Sequence, residues 1–172
     1  MIDFNLICTT SRNLEQEAII EINSILTKLG DSAKIQKAEP SGIIIVKTNK
    51  EPELVIQELK EILKDDPWKI RYLKRVIPIE FTVSNINQLL IKIESNKTKI
   101  KEDESFRITI KKRFSTISTK ELIEDIAKLI DRQVNLDNPK WVVQIEIINS
   151  IIGVSIIRPE NILSVMKEKR GF

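Results

Sequence analysis

From Trp141 to Pro159 the chain reads WVVQIEIINSIIGVSIIRP, two almost uninterrupted apolar runs parted by Asn149-Ser150. A two-residue polar break between β-branched runs is the signature of a tight hairpin. Strands this apolar leave no face for water, so Trp141–Ile148 and Ile151–Ile157 belong at the centre of a sheet covered on both sides. The rest of the chain must supply the covering layers, which points to a mixed α/β (α+β) protein.

The flanking segments carry the required periodicities. Phe106, Ile108 and Ile110 alternate with Arg107, Thr109 and Lys111, the pattern of a half-buried strand. Continued further, that strand would turn Lys112 into the core, so it is expected to end near Lys111 and leave Lys112 and Arg113 in the exit loop. Ser118 and Glu121 form a capping box for a helix whose stripe is Leu122, Ile123, Ile126, Leu129 and Ile130. Upstream, Ile79–Val83 reads as a strand, and Ser84 as the cap of a helix carrying Ile86, Leu89, Leu90 and Ile93. The polar stretch Glu94–Ser105 reads as a surface loop. Beyond the hairpin, an amphipathic segment Glu160–Met166 leads into the basic tail Lys167-Glu168-Lys169-Arg170.

A different unit precedes this one, with a boundary expected between residues 77 and 78. Phe4–Cys8 is a short strand. Asn13 and Gln16 start a helix bearing Leu14, Ala18, Ile22, Ile25, Leu26 and Leu29, and Gly30 stops it. Ala33–Ala38 and Gly42–Lys47 are strands joined by the turn Glu39-Pro40-Ser41-Gly42. Pro52 opens a second helix with Leu54, Val55, Leu59, Ile62 and Leu63, and Trp68–Val76 supplies a fourth strand. The order is βαββαβ, a ferredoxin-like unit spanning 1–77, followed by an α/β domain over 78–172.

Several function classes fall away on composition. The chain has no histidine and a single cysteine, so imidazole acid–base chemistry, Ser-His and Cys-His nucleophile pairs, cysteine metal clusters and an internal disulfide are not available to it. Its four glycines are isolated, so it has neither a GxGxxG loop nor a P-loop, and no cofactor is expected. Asp65-Asp66 before Pro67 reads as an ordinary helix end and Glu102-Asp103-Glu104 as a solvated loop, so no metal site is expected. No apolar run reaches the ~18–20 residues that span a bilayer, and no leader is evident at the start, so the expectation is a cytoplasmic protein without a membrane partner. Cys8 reads as core filling.

Net charge is +3, and the first 75 residues carry as many basic as acidic side chains, so the excess lies in the remainder. It is focused at Lys111-Lys112-Arg113. This triplet, with Ser115, Thr116, Ser118 and Thr119, stands where a strand gives way to a helix, a place where backbone N–H groups and cations converge on anions. On residue pattern alone, an anion site and a solvated loop remain equally open. Arg107 and Thr109 share the polar side of the strand with Lys111. Lys140 enters the next strand and Arg158 leaves the last one, and topology decides whether either reaches the triplet. A second cluster, Lys69, Arg71, Lys74 and Arg75, sits near the boundary but cannot face one way. Aromatic residues are few, and Trp68, Tyr72, Phe106, Phe114 and Trp141 read as packing residues, so base stacking on a sheet is not expected.

FRITIKKRF, the hydroxyl-rich STISTKEL, VNLDNPKWVVQIEI and GVSIIRP together resemble the THUMP domain of tRNA-modifying proteins. The resemblance runs from about Ser84 to Pro159. It implies binding of the tRNA acceptor stem and 3′-CCA end, a role that would fall on Arg107, Lys111, Lys112, Arg113, Ser118, Lys140 and Arg158. No catalytic domain is recognisable, so the chain looks like the adaptors that present tRNA to an RNA cytidine acetyltransferase for N4-acetylcytidine formation. The alternative is the RNA-binding part of a split methyltransferase or thiouridine synthetase. A structural assembly protein is the third reading.

Overall fold

The structure is a computed structural model that describes residues 3–171. It divides into two compact units, 3–79 with 160–171, and 80–159. The first contains β1 (Leu6–Thr9), α1 (Glu15–Lys28), β2 (Lys34–Ala38), β3 (Ile43–Lys47), α2 (Pro52–Asp65) and β4 (Arg75–Pro78). The second contains β5 (Phe81–Val83), α3 (Ile86–Asn96), β6 (Ser105–Arg113), α4 (Thr119–Leu129), β7 (Gln133–Val134), β8 (Trp141–Ile148) and β9 (Ile151–Ile157). The chain then returns to the first unit with β10 (Leu163–Ser164) and α5 (Val165–Arg170).

In the first unit the sheet order is β10-β4-β1-β3-β2, every pair antiparallel. One face packs Leu6, Cys8, Ile44 and Val46 against Ala18, Ile22 and Leu26 of α1 and Val55, Leu59 and Leu63 of α2. Burial pushes the Cys8 thiol up to about 12, leaving it inert core filling. Gly30 takes φ +78° and closes α1 as expected: its N–H and that of Asp31 bond back to the carbonyls of Thr27 and Leu26. The start of α1 differs from expectation. Asn13 adopts a left-handed φ of 66° outside the helix, and Leu14 takes the cap position without a side-chain bond. On α2, Leu54 is not part of the buried stripe; Val55, Ile56, Leu59 and Leu63 are.

Two larger departures have physical causes. Residues 68–74 do not form the expected strand: Pro67–Lys69 make a 3-10 turn, and backbone groups of residues 70–73 are taken by side chains. The Glu21 carboxylate accepts from the N–H groups of Arg71, Tyr72 and Leu73 at 2.8, 3.1 and 2.8 Å, and Lys169 Nζ donates to the Ile70 carbonyl at 2.8 Å. Only Arg75–Pro78 is left to pair, so the alternation expected to put Lys69 and Arg71 on one strand face does not arise. The tail, expected in the second unit, belongs to the first: Leu163 and Ser164 pair with Val76 and Arg75, and Leu163 and Val165 enter its core.

The second sheet has the order β5-β9-β8-β6-β7, with β6 parallel to both β8 and β7 and the other pairs antiparallel. Val143, Ile145 and Ile147 of β8 and Ile152, Val154 and Ile156 of β9 pack with Leu89 and Ile93 of α3 and Leu122 and Ile126 of α4. The other face of the hairpin is buried too, through Val142, Gln144, Glu146, Ile148, Ser155 and Ile157. Asn85, not Ser84, caps α3 by accepting from the Gln88 N–H, while Ser84 donates from its backbone and hydroxyl to Gln88 Oε1. Part of the expected Glu94–Ser105 loop is helical, up to Asn96 and then as one 3-10 turn.

Because Leu163 is fully buried in the first core, Leu163→Ala should cost about 2–5 kcal/mol of unfolding free energy. Denaturant unfolding checks this, and an unshifted midpoint would mean that the tail does not belong to that core.

Candidate nucleic-acid interface

β6 pairs in parallel with β8 from Phe106 opposite Trp141 to Arg113 opposite Ile148. The strand therefore continues through Lys112 and Arg113, two residues beyond its expected end. Lys112 does not enter the core: the side chain is exposed, and Nζ donates to the Ile117 carbonyl at 2.7 Å. That bond ties the strand end to the loop entering α4. Ser118 caps the helix, its hydroxyl accepting from the Glu121 N–H at 3.3 Å. The end of β6 and the start of α4 thus form one rim, with Lys112 on the side of the strand that faces α4 and Lys111 on the side it shares with Arg107 and Arg113.

The three cations of the triplet are not equivalent. Arg113 is largely buried, its Nη1 2.6 Å from Oε2 of Glu146, a carboxylate with no solvent exposure whose other oxygen accepts from Gln144 Nε2 at 3.0 Å. Its first duty is to neutralise Glu146. Lys112 is held by Ile117. Lys111 is exposed and, among the described residues, has no hydrogen-bond or ion-pair partner, so its ammonium is the one most available to an external anion.

The remaining expected residues lie at the opposite end of the sheet. Lys140 precedes β8 and Arg158 follows β9, both beside the beginning of β6, seven residues from Arg113 or about 23 Å along a strand. Arg158 is engaged internally: it lies 4.0 Å over the Trp141 ring, with Nη1 3.3 Å from Glu104 Oε2. Trp141 Nε1 donates to Glu104 Oε1 at 3.0 Å. The N–H of Lys101, then Trp141, hold the Glu104 carboxyl below its ordinary range against the opposing effect of burial, with Arg158 adding to them. Arg107 also points its bonds this way, with Nη1 on the Leu136 carbonyl at 3.0 Å. An open cleft of about 510 Å³ here is lined by Lys140 and Lys101 but also by Asp103 and Glu104, a mixed-charge surface unlike the rim.

Sequence reasoning missed Glu146, Glu104 and the state of Phe114. Glu146 had a signal, since a carboxylate inside an apolar run must find a cation. Phe114 is not a packing residue: it is 67% exposed, directly after the triplet, and Trp68 is likewise exposed. Phe106 is buried, as expected. Among the described residues no helix is long and apolar enough to cross a membrane, and no group of three or more Cys, Asp or Glu side chains could hold a metal ion.

Fold and rim together define a mixed α+β protein in which a basic strand end meets the start of a helix. Residues 82–157 match the family model of the THUMP domain. It is 32% identical over 124 residues to the uncharacterized protein MJ0421 of Methanocaldococcus jannaschii, a match covering 69% of this chain and 34% of that protein. The fold is similar to PH1313 from Pyrococcus horikoshii, with TM-score 0.68 and 19% identity over 89% of this chain and 54% of the other. It is also similar to TrmN from Thermus thermophilus, with TM-score 0.59 and 14% identity over 90% and 46%. A 4-thiouridine synthetase solved as an RNA complex with bound ATP has TM-score 0.53 and 16% identity over 91% and 42%. At these identities the structures establish the fold. The chain spans about a third of the curated relative and about half of these structures.

Removing Arg113 strands a buried carboxylate, so Arg113→Ala should destabilise the protein by about 3–5 kcal/mol, while adding Glu146→Gln should recover much of that stability. Denaturant unfolding of the two variants decides it; equal stability of Arg113→Ala and the parent would mean that the pair does not neutralise Glu146. A pH effect follows from Glu104. Its folded pKa lies below its ordinary 4.5, so its contribution is complete above that value and is lost as pH falls through the depressed one. In a Trp68→Phe background, Trp141 fluorescence should report that acid transition, and Glu104→Gln should abolish it.

Proposed function

We propose that this chain is a tRNA-binding module that takes phosphates of the acceptor stem and 3′-CCA end at the rim formed by β6 and α4. The observation that carries the reading is Lys111: an exposed cation whose side chain has no internal partner among the described residues, on the strand face it shares with Arg107 and Arg113, in the stretch that matches the THUMP model. Support also comes from the fold likeness to the 4-thiouridine synthetase solved with RNA. Lys111 and Lys112 are the primary phosphate ligands. Arg113 and Ser118 shape the rim, the first through Glu146 and the second by capping α4. Lys140, Arg107 and Arg158 belong to a second binding region at the far end of the strand pair, a spacing that an RNA stem can bridge.

The chain itself has a positioning role, presenting the tRNA end to an enzyme that supplies the chemistry. An RNA cytidine acetyltransferase is the partner implied by the resemblance to acetylation adaptors. Service to a methyltransferase or thiouridine synthetase is the second reading, favoured by the fold likeness to the 4-thiouridine synthetase and by its greater length. Nucleoside mass spectra of tRNA from a deletion strain distinguish them by whether the acetylated, methylated or thiolated nucleoside disappears.

Fluorescence anisotropy over a salt series tests RNA binding directly. The purified chain should prefer tRNA with an intact 3′-CCA end over trimmed tRNA. Lys111→Glu combined with Lys112→Glu should weaken binding at least tenfold and lower the salt slope by about two, one for each phosphate that is no longer neutralised. Unchanged affinity with native circular dichroism would remove both lysines from the interface.

A further inference from the structure

Phe114 combines two features that folding alone disfavours. Its φ of 54° is left-handed, a conformation that a side-chain-bearing residue adopts only at a cost, and the residue is 67% exposed instead of buried. The backbone around it is pinned. On one side the Asn149 N–H donates to the Arg113 carbonyl at 3.0 Å; on the other, Lys112 Nζ holds the Ile117 carbonyl and the Ser115 hydroxyl accepts from the Ile117 N–H at 3.2 Å. The loop thus fixes where the chain runs and leaves the ring in solvent.

What surrounds the ring limits what it can receive. Lys111 and Lys112 precede it and are exposed, Ser115 and Thr116 follow, and the N-terminus of the eleven-residue α4 comes next. A protein or lipid partner would call for a broader apolar patch, whereas this is one flat apolar face flanked by cations and hydroxyls. A nucleotide has matching parts: a planar base to stack and a phosphate to pair.

We propose that Phe114 is a stacking platform for one unpaired RNA base whose adjoining phosphates lie on Lys111 and Lys112. This role rests on the tRNA-binding reading above and deepens it, since a base free to stack must be outside a duplex. Specificity for a single-stranded end then resides in Phe114, while the lysines supply affinity that is indifferent to base pairing.

The test compares the parent protein, Phe114→Leu and Phe114→Tyr. Leucine keeps the apolar bulk and the backbone cost but removes the ring; tyrosine keeps the ring. The probe is tRNA whose 3′-terminal base is 2-aminopurine, a fluorophore quenched on stacking. Phe114→Leu should bind roughly tenfold more weakly, the scale of one base stack, with an unchanged salt slope and weaker quenching. Phe114→Tyr should match the parent in both. If Phe114→Leu binds and quenches like the parent, the platform is overturned and the tRNA reading stands. If the parent itself does not bind tRNA, both fall.

Discussion

The parallel pairing of β6 with β8 sets the geometry on which the second unit depends. Its register carries Arg113 to the position of Ile148, two residues above Glu146 on the same face of the neighbouring strand, and so brings a guanidinium onto the one fully buried carboxylate of that hairpin. A charge that deep is tolerable only when paired and hydrogen-bonded, and Gln144 completes the set. The ion pair in turn holds the last residue of β6 in the sheet. Lys111, Lys112 and Phe114 are positioned by that anchoring, since each is within two residues of Arg113.

The same strand pair explains how a chain with little net charge can present a focused basic edge. Many of its cations are committed to internal work. Lys97 bonds the carbonyl of Leu129 at the end of α4, Lys99 pairs with Glu80, Arg132 bonds the Ile100 carbonyl and Arg158 packs over Trp141. Lys111 is left without such a commitment among the described residues, at the end of the strand where α4 begins. Total charge is therefore a poor guide to this surface, and the distribution of partners is a good one.

Beyond Phe106, β6 has no strand on its outer side among the described residues, because β7 pairs only with Ser105 and Phe106. Such an edge invites pairing with other chains. Here it carries Arg107, Lys111, Lys112 and Arg113, charges that discourage strand addition. The cations of the rim thus also protect the edge, so substitutions there bear on association between chains.

Much of the architecture was legible in the chain. The hairpin of β8 and β9, the alternation in β6, the helix stripes apart from the exposed Leu54 and Ile123, and the stop at Gly30 all arise from local spacing, which sequence displays directly. So did the meeting of the basic triplet with the start of α4, since those residues are neighbours in the chain. Long-range partners were not legible. Glu146 lies 33 residues from Arg113, Glu21 takes backbone groups 50 residues away, and β10 returns across the whole second unit to reach β4. Only tertiary structure decides such pairings, because a side chain's partner depends on register and topology and not on its neighbours in sequence. For that reason the sequence located the cations, while the fold determined which of them are paired, that Lys140 and Arg158 stand at the far end of the sheet, and that Phe114 faces solvent.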